Sequence, residues 1–350
     1  AELTGWRSGA ATGLMRGTVS YVDDRGLSGL AKVFVKAKPS DEQSIEVAEA
    51  LGALISPALG REITGSRERL GLTGAHVREL AIYSDDDPRI AAHRPAALAI
   101  ERDDAAQQWV LTLEAVDDAV LINALSPAAW TSEAIDAALC GAARIHARWL
   151  SEAIEPDCRG AQWLPPIRDT ASRVAMTPLW RALAEHAASR PAWRAPRLRA
   201  THAELVTNVA AWSRELDAAP RTLIHNDFNP RNIAIRRRDG RLTLCAFDWE
   251  LATLGAPQRD IAELLCFVLP PNAPRETIRR WVERSRSLFN EATGRGVERA
   301  VWERGFSAAL CDLLVDRLAM LAMIDRVRPQ RFLPRVTAAW LNLFDCFLPA

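Results

Sequence analysis

The 350-residue chain has no net formal charge, because 44 basic side chains meet 44 acidic ones. A balanced surface leaves no electrostatic footprint for general nucleic-acid or anionic-membrane binding, so neither is expected as a partner. No run of about 18 apolar residues occurs, which rules out a spanning helix. Ala1–Trp6 lacks the basic flank and apolar stretch of a secretory signal, and no Met opens the chain. A cytoplasmic protein, or one domain of a longer one, is the expectation. C-x-x-C pairs are also missing. The six cysteines (Cys140, Cys158, Cys245, Cys266, Cys311 and Cys346) lie far apart, several in apolar stretches. They read as buried free thiols in a reducing compartment, against a disulfide frame or a zinc site.

Lysine is scarce. Only Lys32, Lys36 and Lys38 occur, beside 41 arginines. Codon bias is one explanation. The other is that this one stretch needs a compact ammonium on a flexible stem, which a guanidinium fork cannot imitate.

What is present reads in two parts. Residues 17–22 and 29–36 are β-branched and aromatic runs around a turn-like Asp23–Gly26, after a small-residue loop at 8–13. A helix is expected after Pro39, with Ser40 or Asp41 as its cap and apolar spacing through Ile55, and another over residues 73–83. Strands follow at 97–101 and 109–114. Beyond Ala115 the pattern turns to long amphipathic helices at 131–150, 178–188, 201–216, 259–268, 276–292, 302–324 and 334–347. One short β-type region, 221–251, interrupts them. No repeat or low-complexity linker is visible, and the lobe sizes are ordinary.

Within that β-type region, Leu223–Ile235 sets His225, Asp227 and Asn232 in an H-x-D-x-x-x-x-N pattern, which composition alone would yield about 0.01 times. A turn at Arg238-Asp-Gly240 leads into a second apolar strand ending at Asp248-Trp-Glu250. Phosphoryl transfer from a nucleotide needs a carboxylate to accept the proton of the attacking hydroxyl. It also needs hard oxygen ligands for Mg²⁺. Asp227 sits mid-loop; Asn232 begins a strand; the hairpin returns Asp248 beside it. One hairpin therefore delivers a base and metal ligands to one edge.

These residues resemble the catalytic loop and metal aspartate of the aminoglycoside phosphotransferase and choline kinase group, within the protein-kinase-like fold. A weaker likeness points to the ecdysteroid-kinase-like branch. The resemblance implies an α+β, bilobal fold: a small antiparallel-sheet lobe with helices at 1–114, and a larger, mainly helical lobe at 115–350. It implies ATP and Mg²⁺ as cofactors, with GTP left open, and a small-molecule acceptor. Asp227 would be the catalytic base, and Asn232 and Asp248 the metal ligands. Lys36, in Val33-Phe-Val-Lys36, looks like the phosphate-gripping lysine, with Lys32 and Lys38 as alternatives on the same strand parity. Glu79 looks like its helix partner, although Glu46 or Glu49 could serve. Leu111–Val116 is similar to the hinge, so the backbone of Glu114 and Val116 would meet the adenine. His225 and Asp260 would brace the loop. His146, in the segment similar to the L-x-x-L-H-A helix, reads as a satisfied core histidine, and Arg236–Arg238 as a solvated hairpin tip.

Trp-Glu follows Asp248 where protein kinases carry Phe-Gly, and Asn229 stands where they usually carry lysine. Both departures favour a small-molecule acceptor. Asp312, Asp316 and Asp325 share one helical stretch, as a polycationic acceptor would require, but Arg317 and Arg326 accompany them. The alternative function is a catalytically silent kinase-like module of a larger protein.

Overall fold

In the first lobe, β-branched and aromatic runs form β1 (Gly13–Val22), β2 (Ser28–Ala37), β3 (Ala97–Asp103) and β4 (Gln108–Glu114). The computed structural model describes residues 13–22, 26–150, 163 and 168–347. Most of the loop expected at 8–13, and Cys158, lie outside them. The four strands make one antiparallel sheet in the order β1-β2-β4-β3, with Lys36 opposite Leu111.

Three helices follow β2: α1 (Asp41–Ile55), α2 (Pro57–Gly65) and α3 (Ala75–Tyr83). Ser40 caps α1 in a capping box with Gln43, because its hydroxyl and the Gln43 side chain satisfy backbone N–H groups that have no partner inside the helix. The sequence analysis did not assign α2, although Ser56 as cap and Pro57 at the first helical position are a recognisable start. After α4 (Pro88–Ala91) and the sheet, β5 (Ala119–Ile122) leads into the larger lobe.

That lobe contains α5 (Ser132–Arg148), α6 (Thr170–Ala175), α7 (Thr177–Ala188), α8 (Pro196–Thr207), α9 (Val209–Ala218), α10 (Gln258–Val268), α11 (Arg275–Thr293), α12 (Arg299–Asp312), α13 (Ala319–Ile324) and α14 (Leu333–Phe347). The single helix expected at 201–216 is two, broken at Asn208. The long helix expected at 302–324 is interrupted by a π-helical turn over Leu313–Leu318. Its core is rich in tryptophan: Trp180, Trp193, Trp249, Trp302 and Trp340 are fully buried. Cys245, Cys266, Cys311 and Cys346 are buried free thiols, with Cys140 half-buried.

Set into this helical lobe is the hairpin β7 (Ile233–Arg238) and β8 (Arg241–Ala246), with β5 on its outer edge. Asp239 and Gly240 both take positive φ at its turn, as a tight Asp-Gly hairpin requires. A second pair, β6 (Thr222–Ile224) with β9 (Thr253–Gly255), closes the base of the loop between β6 and β7. The hairpin lies on α5. Gly141 permits the approach, because a Cβ there would stand 2.4 Å from Leu244 Cβ. Among the described residues, no helix is long and apolar enough to cross a membrane.

Candidate active site

The loop between β6 and β7 carries His225, Asn226, Asp227, Asn229 and Asn232, and its shape is set by buried hydrogen bonds. Asp260, in the first turn of α10, accepts the backbone N–H groups of both His225 and Asn226 at 2.8 Å. Its Oδ2 also meets His146 Nε2 of α5 at 3.0 Å. Burial raises the Asp260 pKa, but the bond and charge of His146 outweigh it and hold the group ionised. His225 Nε2 lies 2.9 Å from the carbonyl of Phe247, linking the loop to the end of β8. Asn226 is left-handed at φ 61°, and its side chain donates to the carbonyl of Leu251 at 3.2 Å. A residue held there must be over-determined by its surroundings, and these bonds do so.

Asp227 follows. Its carboxylate receives Asn229 Nδ2 at 2.7 Å and Arg231 at 3.2 Å, and pairs closely with Arg317 from the π-helical turn. Burial pushes the carboxyl up, but the two guanidiniums overcome it and hold Asp227 well below the usual carboxylate range. Arg231 is itself fixed, with Nε on Asn229 Oδ1 at 2.9 Å and its guanidinium over the rings of Phe332 and Phe267. Asn229 also donates to the buried Glu263 of α10 at 2.9 Å. Asn232 Nδ2 donates to the Asp227 carbonyl at 3.0 Å, and the Asn232 carbonyl accepts the N–H of Phe247 at 2.9 Å. The amide nitrogen is thereby committed, which leaves the side-chain oxygen for a cation.

Asp248, one residue past Phe247, is left-handed at φ 67° and turns its carboxylate toward the sheet lobe. Lys36 Nζ of β2 reaches it at 2.5 Å and Glu79 of α3 at 2.9 Å. Glu46 and Glu49 do not take that place. Glu79, nearly fully buried, also pairs closely with Lys38 and accepts the N–H of Trp249 at 3.3 Å. Both Lys36 and Lys38 therefore meet one glutamate, whereas Lys32 lies on the surface with Asp117. Burial would lower the Lys36 pKa, but the carboxylates of Asp248, Glu79 and Glu250 drive it well above normal. Asp248 is raised, first by burial and next by repulsion from Glu250. Ligand oxygens of Glu79, Asp248 and Glu250 lie within 4.8 Å of one another. Such a set of hard oxygen donors suits a divalent hard cation.

The end of β4 is tied to the hairpin as well. Glu114 pairs closely with Arg236 of β7 and with Arg238 at 3.5 Å, so Arg236 is a buried clasp instead of a solvated tip. Val116 is buried against Ala234 and Cys245.

Several participants were not singled out from the sequence as parts of the site. Lys38 is only an alternative to Lys36 on strand parity, and nothing in the Asp248-Trp-Glu250 run says that Glu250 reaches both lysines, at 3.6 Å from Lys36 and 3.4 Å from Lys38. Arg317 and Glu263 carry no local motif; only the packing of α10 and the π turn brings them to Asp227.

Comparison with known proteins shows the family. No curated protein matches the sequence. A family model described as "Phosphotransferase enzyme family" matches residues 67–305. That span includes Glu79, Asp227, Asn232, Asp248 and Asp260, and begins after the lysines. Among solved structures, a microcompartment-associated aminopropanol kinase is similar at 14% identity and a TM-score of 0.50, covering 96% of this chain and 88% of that one. Ethanolamine kinase of Plasmodium vivax has 11% identity over 95% of this chain and 83% of its own, at a TM-score of 0.49. A GDP complex of aminoglycoside 2'-phosphotransferase-IIIa has 13% identity over 94% and 91%, at 0.48. With two-thirds of its length matching the family model and a bilobal α+β architecture, this chain belongs to the phosphotransferase enzyme family.

Proposed function

We propose that the protein transfers the γ-phosphoryl group of ATP to a hydroxyl of a small molecule, in a magnesium-dependent reaction. The observation that carries this reading is the Lys36 bridge. One ammonium joins Glu79 of the sheet lobe to Asp248 at the end of the β7–β8 hairpin, which the loop carrying Asp227 leads into. Lys36 would hold the α- and β-phosphates, and the backbone at Glu114 and Val116 would meet the base. Asp248, Asn232 and Glu250 would hold Mg²⁺. When bound, the ion would neutralise phosphate charge.

Asp227 orients the acceptor. As the acceptor oxygen bonds to the γ-phosphorus, its proton passes to an Asp227 carboxylate oxygen, the bridging O–P bond breaks, and ADP leaves. A loose transition state asks more of position than of basicity. A carboxylate kept ionised and fixed by Asn229 and Arg231 therefore fits the task, despite its low proton affinity. His225 and Asp260 would hold the loop in register without touching the reacting atoms.

The test is Mg-ATP turnover, with and without a panel of hydroxylated acceptors, in wild type and Asp227→Asn. The variant should lose about 10²–10⁴-fold in kcat. Normal kcat in the variant would refute the base assignment.

A further inference from the structure

Among the described residues, the three aspartates of the 312–325 stretch, which could have welcomed a polycation, are each paired with arginine. Asp312 holds Arg173 at 3.3 Å and Arg259 at 3.1 Å, Asp316 holds Arg168 at 2.7 Å, and Asp325 holds Arg190 at 2.6 Å. Glu263 is engaged by Arg259 at 2.9 Å, and burial raises its pKa. Among the described residues, the charged side chains that pair directly with Asp227 are the two cations Arg231 and Arg317.

Two arginines touch Asp227, but they differ in freedom. Arg231 is clipped between two phenylalanines and Asn229. Arg317 has only Asp227 and, at 4.0 Å, Glu263 as partners among the described residues. Its Nε is buried without a hydrogen bond, and its side chain is 19% exposed. A guanidinium carries five donors in a fork shaped for a carboxylate. Nε faces Glu263, so the donor Arg317 can offer a ligand beside the base is on the exposed part of its guanidinium. Its backbone lies in the π-helical turn, where the i→i+5 pattern displaces a side chain from the ordinary helical face, a feature often found at functional sites.

Resting on the phosphotransferase reading above, we propose that the acceptor is a hydroxy acid. Its carboxylate engages Arg317, setting the neighbouring hydroxyl against Asp227. The polycations and amino alcohols named in the solved structures would meet guanidinium charge here, which disfavours them.

The experiment uses matched acceptors that share a hydroxylated skeleton, namely hydroxy acid, primary amide and amine, with Mg-ATP and phosphorylated product read by mass. In wild type the acid should exceed its amide by about 10- to 100-fold in kcat/KM, the range of a charge-assisted hydrogen-bond pair. The amine should be poorest. Arg317→Gln should collapse the acid-to-amide ratio toward one, and Arg317→Lys should restore part of it.

A ratio that stays unchanged in Arg317→Gln, with all acceptors slowed alike, would show that Arg317 serves the base or the phosphoryl group, and would overturn the inference. So would preference for the amine, or hydroxy acids that neither accept phosphate nor alter ATP hydrolysis. Absence of any Mg-ATP turnover in wild type despite tight nucleotide binding would instead overturn the phosphotransfer reading.

Discussion

Glu79 is the side chain on which the nucleotide end of the site is balanced. It has 1% side-chain exposure and meets two ammoniums, one of them, Lys38, equally buried. A buried carboxylate with two cations gains enough attraction to offset its own desolvation, and removal of one partner leaves charge stranded. Glu79→Gln should therefore destabilise the protein by about 3–5 kcal/mol in urea unfolding. It should also weaken nucleotide binding, because Lys36 would lean further onto Asp248. A loss below about 1 kcal/mol would mean that the cluster is solvated in solution.

At this scale, the sequence exposed residues that belong to a short pattern: Asp227, Asn232, Asp248 and the lysine run. It hid those whose role depends on which helix packs where. Lys38 shares its strand parity with Lys36, and nothing local says that both would reach one glutamate. Arg317 looks like any arginine on a long helix.

Among the elements, α5 and the β7–β8 hairpin form the platform that holds Asp248 in place. Their contact is close because position 141 has no side chain. Gly141→Ala would drive a methyl into Leu244, which a packed interior accommodates only by shifting. A cost of about 1–3 kcal/mol is expected, against the gain that alanine would bring to an exposed helix. Equilibrium unfolding of the variant measures it; unchanged or increased stability would show that helix and hairpin are not in contact as described.

The four strands of the sheet lobe, the β7–β8 hairpin and most of the long helices were legible from period, caps and the Asp-Gly turn, which are local signals; β5, β9 and α2 were not assigned. The break at Asn208 and the π turn at Leu313–Leu318 were not. Residues 201–216 and 302–324 each keep helical periodicity, and no proline or glycine marks either departure. Packing decides both.

Across the whole molecule, two buried histidines away from the catalytic loop set how stability responds to pH. Burial lowers the pKa of His93 to about 4, and of His202 to about 4. His202 accepts the indole N–H of Trp193 at 3.1 Å, which needs the neutral ring. Near pH 6.5 the unfolded chain begins to bind protons that the native state refuses, so unfolding becomes easier as pH falls. The contribution is complete above about pH 6.5 and lost progressively toward pH 4. Each site is worth on the order of 2–3 kcal/mol across that window. Urea midpoints at pH 7.5 and 5.0 should differ accordingly. His202→Gln, which keeps an acceptor for Trp193 and cannot titrate, should remove roughly half of that dependence. A pH-independent wild type would contradict the burial of these rings.

The bilobal architecture itself was readable, because a sheet-forming stretch precedes a helical one and a single β-type interruption carries the chemistry. How the two halves meet was not. That junction rests on Glu79, Lys36 and Asp248, residues up to 212 positions apart.

The central claim is a division of labour at the two ends of one hairpin, with Asp248 after it for the metal-nucleotide and Asp227 in the β6–β7 loop before it for the acceptor. Calorimetric titration of Mg²⁺ with a non-hydrolysable ATP analogue into wild type, Asp248→Ala and Asp227→Asn tests it most directly. The account predicts that Asp248→Ala loses about 30-fold or more in affinity, while Asp227→Asn binds within about threefold of wild type. Equal affinity in all three proteins, or a greater loss in Asp227→Asn than in Asp248→Ala, would contradict it.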